Sequence, residues 1–320
     1  MRQITLNTKS KCGILIERGI VSERGLLGDM VITDKNVDGL YGNLIFGNFE
    51  NKLVLEAGER SKCLGNYGKV VEKLAEVNPN SVVAFGGGVI GDLVGFAAST
   101  YKGGIEFVQV PTTLMAMVDS GIGGKNGVNV GNIKNCIGTI YQPEKILIDP
   151  VLLKTLPPEE VASGYAEIIK YFALFGKPDL KSEVGMPLIS ECCAIKARVV
   201  EKDEKDSGYR HILNLGHTVG HSIELLYGLR HGEAVAIGLV KELEMGEKMG
   251  LVERGKTKVI RGLLELKGLS TKFRKDFDVD KIVELMRCDK KGKGKIVFAF
   301  NEQNYNVVVD EKTVRGVLRG

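Results

Sequence analysis

Through the first half of the chain, short runs of β-branched and aliphatic residues recur between helical stretches: Met30–Thr33, Asn43–Phe46, Lys52–Leu55, Ser81–Phe85, Glu106–Val110 and Lys145–Ile148. Most are apolar at successive positions and not at alternate ones, so they suit strands covered on both faces, as in a parallel sheet with crossover helices. Helical patterns such as Tyr67–Glu76 lie between some of them. Together they predict a Rossmann-like, doubly wound α/β domain.

From about Pro150 the texture changes. Prolines at 157 and 158 followed by Glu159 and Glu160 read as a helix start, with the ring at the entry and acids in the first turn. Helical patterns follow at Glu159–Phe175, Leu188–Asp206, Ile212–Tyr227, Gly232–Met249 and Lys256–Lys267, and Lys295–Phe300 with Tyr305–Val309 reads as a small hairpin. The expected organisation is an α/β domain over residues 1–150 and a mainly α-helical domain over 151–320.

A net charge of +4 suits small anions and is too weak and dispersed to argue for nucleic acid. No run reaches the roughly 18 apolar residues of a membrane helix. The opening residues lack the apolar stretch of a signal peptide, and the six cysteines form no CxxC and no regular framework. Reduced thiols in a cytoplasmic protein are the expectation.

Two clusters carry chemistry. Ser81–Phe85 runs into Gly86, Gly87, Gly88, Val89, Ile90, Gly91 and Asp92, and a helical pattern continues to Ser99. Strand, glycines, then helix lets a pyrophosphate approach the backbone and meet free N–H groups, although the spacing is not GxGxxG and a tight β–α turn would look alike. Glu106–Val110 ends likewise in Pro111, Thr112 and Thr113, hydroxyls at a strand's carboxyl end.

The second cluster contains every histidine: His211, His217, His221 and His231. His217 and His221 share a helical face at i, i+4, and Glu167 with Lys170 shares another. One carboxylate with two or three imidazoles makes a three-ligand site with open positions, the form of a catalytic zinc centre. Spacing alone selects His217 and His221 as the imidazole ligands.

These segments, in order, resemble the 3-dehydroquinate synthase family: Gly86–Asp92, Val110–Thr113, Val118–Ser120 with Gly123–Lys125, Lys134–Asn135, Ala166–Lys170, Leu213–His221 and His231–Val235. The resemblance implies conversion of 3-deoxy-D-arabino-heptulosonate 7-phosphate to 3-dehydroquinate and phosphate, in the shikimate pathway. It implies NAD as a catalytic hydride carrier, one Zn2+ or Co2+ ion, and a homodimer. By it, Glu167, His217 and His231 are the metal ligands, and His221 becomes a proton-handling residue instead. Lys125, Asn135, Lys170, Lys196, Arg210, Asn214 and Lys290 or Lys291 match substrate-holding positions, and Asp119 lies where nicotinamide meets substrate. Asp34, Glu59, Lys62, Gly87, Gly88, Val89, Asp92, Thr112, Thr113, Thr155 and Glu160 match NAD positions, with Asp119, Lys125 and Lys134 at their margin.

Three departures stand out. Gly103 replaces an arginine that helps hold the substrate phosphate, with Lys102 beside it as a stand-in of different geometry. Gly121 replaces a serine, and Asn126–Gly127 replaces Thr-Ala. The segment from Ile223 to His231 is shorter than usual. The rivals are another sugar-phosphate cyclase, of the 2-deoxy-scyllo-inosose or valiolone type, and a non-catalytic NAD-binding paralogue.

Overall fold

A computed structural model describes residues 1–24, 28–45, 51–131, 133–180, 183–288 and 295–320. In chain order its elements begin with β1 (Arg2–Leu6), β2 (Cys12–Ile16), α1 (Ile20–Arg24), β3 (Met30–Asp34), α2 (Lys35–Ile45), β4 (Lys52–Leu55) and α3 (Leu64–Val77). Then come β5 (Ser81–Gly86), α4 (Gly88–Thr100), β6 (Glu106–Pro111), β7 (Lys125–Val130), β8 (Ile133–Ile140) and β9 (Lys145–Ile148). Helices α5 (Pro158–Phe175), α6 (Met186–Lys202), α7 (His217–Tyr227), α8 (His231–Lys248), α9 (Lys256–Leu266) and α10 (Val279–Cys288) follow. The chain closes with β10 (Val297–Phe298), β11 (Val307–Val308) and α11 (Glu311–Leu318).

The chain divides into two compact units, one of residues 1–161 with 182–205, the other of residues 162–181 with 206–320. The sequence texture suggested one cut near residue 150. The observed division is discontinuous, because α6 belongs with the first unit.

In the first unit a seven-stranded sheet runs in the order β1-β2-β9-β6-β5-β3-β4. All neighbours are parallel except β1 and β2. The apolar runs account for its central strands: Val82, Val83, Ala84 and Phe85 of β5 are buried, as are Met30, Val31 and Ile32 of β3. Ile32, Val82 and Ala84 pack with Leu93, Val94 and Ala97 of α4 in one apolar cluster. Residues 43–45, read above as part of a strand, instead complete α2. The Asp34 carboxylate accepts from the N–H groups of Asn36 and Val37 and so starts a helix directly after β3, which outweighs the local preference of a few aliphatic residues. Phe46 lies outside the described residues.

The hairpin of β7 and β8 stands apart as a two-stranded sheet. Two departures from the family pattern have a steric reason here. A Cβ at Gly127 would lie 2.6 Å from the Ile137 carbonyl, and one at Gly121 would lie 2.6 Å from that of Ala116. The Asn126 amide donates to the carbonyls of Gly124 and Tyr141, at 2.8 and 2.9 Å, and ties the base of the hairpin.

Ile32 is fully buried at the centre of the sheet. Ile32→Ala is therefore expected to lower stability by about 2–5 kcal/mol, read as a fall in the urea midpoint of the first unit. A loss under about 1 kcal/mol would contradict this packing.

Candidate active site

In the first unit, β3 connects outward to β4, and the chain then returns to lay β5 on the other side of β3. The strand order reverses between β3 and β5, and ligands of open α/β sheets bind outside the carboxyl ends at such a switch point. Asp34 ends β3 and Gly86 ends β5. Gly87 caps α4 with no side-chain hydrogen bond, so backbone N–H groups of Gly88 and Val89 open the helix toward that crevice. The Thr112 N–H donates to the Gly86 carbonyl at 3.0 Å, which joins the two glycine- and threonine-bearing strand ends. Thr113 Oγ1 accepts from the Ala116 N–H.

Around this crevice, Lys62 and Asp92 form a buried ion pair. Burial pushes the Asp92 carboxyl up from its ordinary value, and the Lys62 ammonium opposes that shift. Glu59 accepts from the Asn129 amide at 2.8 Å, with Lys134 at 4.0 Å. The same Asn129 accepts from the backbone N–H of Asn135, whose φ is 47°. Thr155 bonds the Tyr41 hydroxyl at 2.6 Å, and Glu160 lies in the first turn of α5. Lys125, exposed, begins β7. Asp119, in the turn Ala116–Ser120, pairs with the buried Lys196 of α6. Lys102 is engaged by the Asn78 side chain and stacks 5.5 Å from the Tyr101 ring.

The second unit gathers the other cluster. Glu167 of α5 is fully buried. Its Oε1 lies 3.3 Å from His217 Nε2 and 3.0 Å from His231 Nε2, and its other oxygen pairs with Lys170. Burial alone would raise this carboxyl. The Lys170 ammonium and the two imidazoles prevail and hold it well below the usual range. His217 Nδ1 faces the Leu215 carbonyl at 3.1 Å; a carbonyl can only accept, so Nδ1 carries a proton and Nε2 is the atom turned toward Glu167. His231 Nδ1 faces Glu224 at 3.4 Å. Burial lowers the His217 ring, with Glu167 opposing. At His231 burial acts downward too, but hydrogen bonds to Glu167 and Glu224 raise it to about 9.

Three helices supply these groups, and their contacts are close. A Cβ at Gly232 would lie 2.3 Å from Ser163 Cα, and the Gly232 N–H donates to the Ser163 hydroxyl at 2.9 Å. A Cβ at Gly238 would lie 2.0 Å from the Gly216 carbonyl. Helix α7 ends at Gly228 with φ of 64°, and α8 begins at His231. The shortened segment is thus a tight helix–helix turn that leaves His231 beside Glu167.

Ligand atoms of Glu167, His217 and His231 lie within 4.8 Å of one another, and so do those of His221, Glu224 and His231. The first set offers one carboxylate and two imidazole nitrogens, a donor set that suits Zn2+ or Co2+. The i, i+4 pair chosen by spacing is not the pair that meets Glu167. His221 is exposed, its ring 5.0 Å from that of His217. Arg210 and Asn214 lie on the turn Tyr209–Asn214, Arg210 buried. Lys290 and Lys291 lie outside the described residues. Sequence reasoning missed Glu224, although its i+3 spacing from His221 on α7 was a legible signal. It also missed Glu242, for which the sequence holds no signal.

Family models place these features. The N-terminal model of 3-dehydroquinate synthase matches residues 52–163, and the C-terminal model matches 164–292. The chain belongs to the 3-dehydroquinate synthase family. It is 40% identical over 302 residues to the 3-dehydroquinate synthase of Alkaliphilus metalliredigens, covering 87% of this chain and 85% of that one. The Nostoc punctiforme 3-dehydroquinate synthase is 42% identical over 287 residues, covering 83% and 79%. Among solved structures, a 2-deoxy-scyllo-inosose synthase complexed with carbaglucose-6-phosphate, NAD+ and Co2+ shares the fold at a TM-score of 0.86 and 24% identity, covering 99% of each chain. The valiolone synthase ValA of Streptomyces hygroscopicus, with NAD+ and Zn2+ bound, does so at 0.83 and 22%, covering 99% of this chain and 98% of that one. An iron-containing alcohol dehydrogenase matches at 0.67 and 17%, covering 99% and 98%. Family membership makes the chain a lyase-type enzyme. No helix among the described residues is long and apolar enough to cross a membrane.

The raised His231 ring has a pH signature in metal-free protein. Its contribution to stability is complete below its unfolded value near 6.5 and is lost as pH rises through about 9. The gap in melting temperature between chelator-treated parent and His231→Gln should therefore shrink across that window. A gap that widens with pH would contradict the assignment.

Proposed function

We propose that this enzyme is a 3-dehydroquinate synthase, acting on 3-deoxy-D-arabino-heptulosonate 7-phosphate with release of phosphate, and that it depends on NAD and one divalent metal ion. The observation that carries the reading is the meeting of Glu167, His217 and His231 around one small volume, in a chain about 40% identical to relatives of that name.

Glu167, His217 and His231 would hold the ion, and the switch-point crevice of Asp34, Gly87, Gly88, Val89, Thr112 and Thr113 would hold NAD, with Asp92, Lys62, Glu59, Thr155 and Glu160 around it. Bound there, the two groups supply Lewis acidity at a substrate hydroxyl and a reversible hydride acceptor.

The chain's own residues do the rest. In the second unit Lys170, already fixed by Glu167, and Arg210 would present buried cations to an anionic substrate; Lys125 and Lys196 of the first unit are assigned substrate-holding roles by the family resemblance alone. Asn135 and Asn214 orient hydroxyls. Asp119 holds the Lys196 ammonium in place. His221, exposed beside His217, moves a proton at the substrate. Lys290 or Lys291 would contribute a further cation. The Lys102 ammonium, held by Asn78, is a poor substitute for the arginine that Gly103 replaces, so phosphate is gripped by fewer donors than in the family pattern. The working form is a cytoplasmic homodimer, as the family resemblance implies.

Phosphate release with NAD and Zn2+ tests this. Turnover is expected with the heptulosonate phosphate, abolished by chelation and restored by Zn2+ or Co2+. His221→Ala should reduce kcat by roughly 10²–10⁴-fold. Turnover with glucose 6-phosphate or sedoheptulose 7-phosphate alone would replace the assignment with another cyclase, and no turnover at all would favour the NAD-binding paralogue.

A further inference from the structure

Glu242 is a buried carboxylate that none of the chemistry above uses. It sits past the middle of α8 with no exposure. Its Oε2 accepts from the Gly216 N–H at 2.6 Å and its Oε1 from the Val219 N–H at 2.9 Å. Burial pushes this carboxyl up to about 8, and the backbone N–H groups of Val219, Gly216 and Thr218 pull against that shift.

The reason for a carboxylate here lies in the start of α7. A helix start normally takes a local Ser, Thr, Asp or Asn to satisfy its first N–H groups. At α7 that position is Gly216, with φ of 84° and no side chain to offer. Nothing larger fits, because a Cβ there would meet Leu239 at 2.7 Å from its side chain and 3.1 Å from its backbone nitrogen. Close packing of α7 on α8 therefore excludes a local cap, and a residue 26 positions away supplies it from the opposite helix.

The two anchored N–H groups bracket His217, the first residue of α7. The Gly216 N–H held by Glu242 belongs to the same peptide unit as the Leu215 carbonyl, which accepts from His217 Nδ1. Orientation of that carbonyl fixes which way the imidazole turns, and hence where Nε2 points. Without the Glu242 carboxylate, buried N–H groups lose their acceptor and the Leu215–Gly216 peptide is free to rotate.

We propose that Glu242 is a positioning residue for His217: by clamping Gly216 and Val219 it holds the Leu215 carbonyl against Nδ1 and aims Nε2 at the ion site. The inference rests on the metal-ligand reading of Glu167, His217 and His231.

The test compares the parent with Glu242→Gln, which is isosteric but can accept with only one of its two heads. Glu247→Gln serves as the control. Glu247 lies in the last turn of the same helix, whose first residue is His231, and accepts from the Thr257 N–H at 2.7 Å at the start of α9. Zn2+ affinity is measured by competition with a chromophoric chelator, the visible spectrum of the Co2+-loaded protein is recorded, and the metal-free melting temperature is taken. Glu242→Gln is expected to bind Zn2+ roughly 10–100-fold more weakly, with a changed Co2+ spectrum. Glu247→Gln should melt earlier yet keep parental affinity and spectrum. Parental affinity and spectrum in Glu242→Gln, whatever its melting temperature, would overturn the proposal. Should that variant not fold, Glu242→Asp, which keeps the carboxyl but withdraws it by a methylene, must bind Zn2+ more weakly than the parent, and parental affinity there overturns the proposal equally. A parent that binds no Zn2+ would instead remove the metal-site reading itself.

Discussion

A carboxylate sealed from water is the constraint around which the second unit is organised. Glu167 has no exposure at all, and a lone buried anion would cost several kcal/mol. It is tolerable because an ammonium and two imidazoles converge on it. The imidazoles come from α7 and α8, so the anion can exist only where three helices approach closely. That requirement explains glycine at 216, 232 and 238, where a single added carbon would collide with backbone or packed side chain. Glycine at the head of α7 then leaves a helix start bare, and Glu242 answers that vacancy from α8. Electrostatics, packing and capping form one chain of necessity.

The first unit reaches its function by another route. There the topology does the work, because reversal of strand order between β3 and β5 opens a crevice where the glycine-led helix α4 begins. In the same unit Lys62 pairs with Asp92, and Glu59 accepts from the Asn129 amide.

Much of this was legible in the residues. Runs without alternation marked β3, β5, β6 and β9, and the strand–glycine–helix order marked α4. Capping overrode local propensity at residues 43–45. Strands β1, β7 and β8 escaped notice because their residues are mixed in polarity, as the alternating exposure of β8 illustrates; β2 is apolar throughout and was missed for its brevity. The cluster around Glu167 was visible as a concentration of histidines, but helical spacing selected His221 where His231 is the second imidazole to meet the carboxylate. His217 and His221 do share a face, yet His231 reaches Glu167 because a left-handed residue at Gly228 turns the chain back. Spacing within one helix cannot report a turn between two. Glu242 was beyond reach, since only the shape of the α7–α8 contact gives it a purpose.

The path of the chain between the units carries a practical lesson for dissection. The backbone leaves the first unit after Val161, re-enters it for 182–205, and leaves again. Fragment boundaries drawn where the two family profiles meet, near residue 163, would strip α6 from the sheet-bearing half and with it Lys196, the counter-ion of Asp119. An expressed N-terminal fragment would then also lack Cys193, whose thiol donates to the Met117 carbonyl. Neither half is a contiguous gene segment, so any split version of this enzyme has to be reassembled from interleaved pieces.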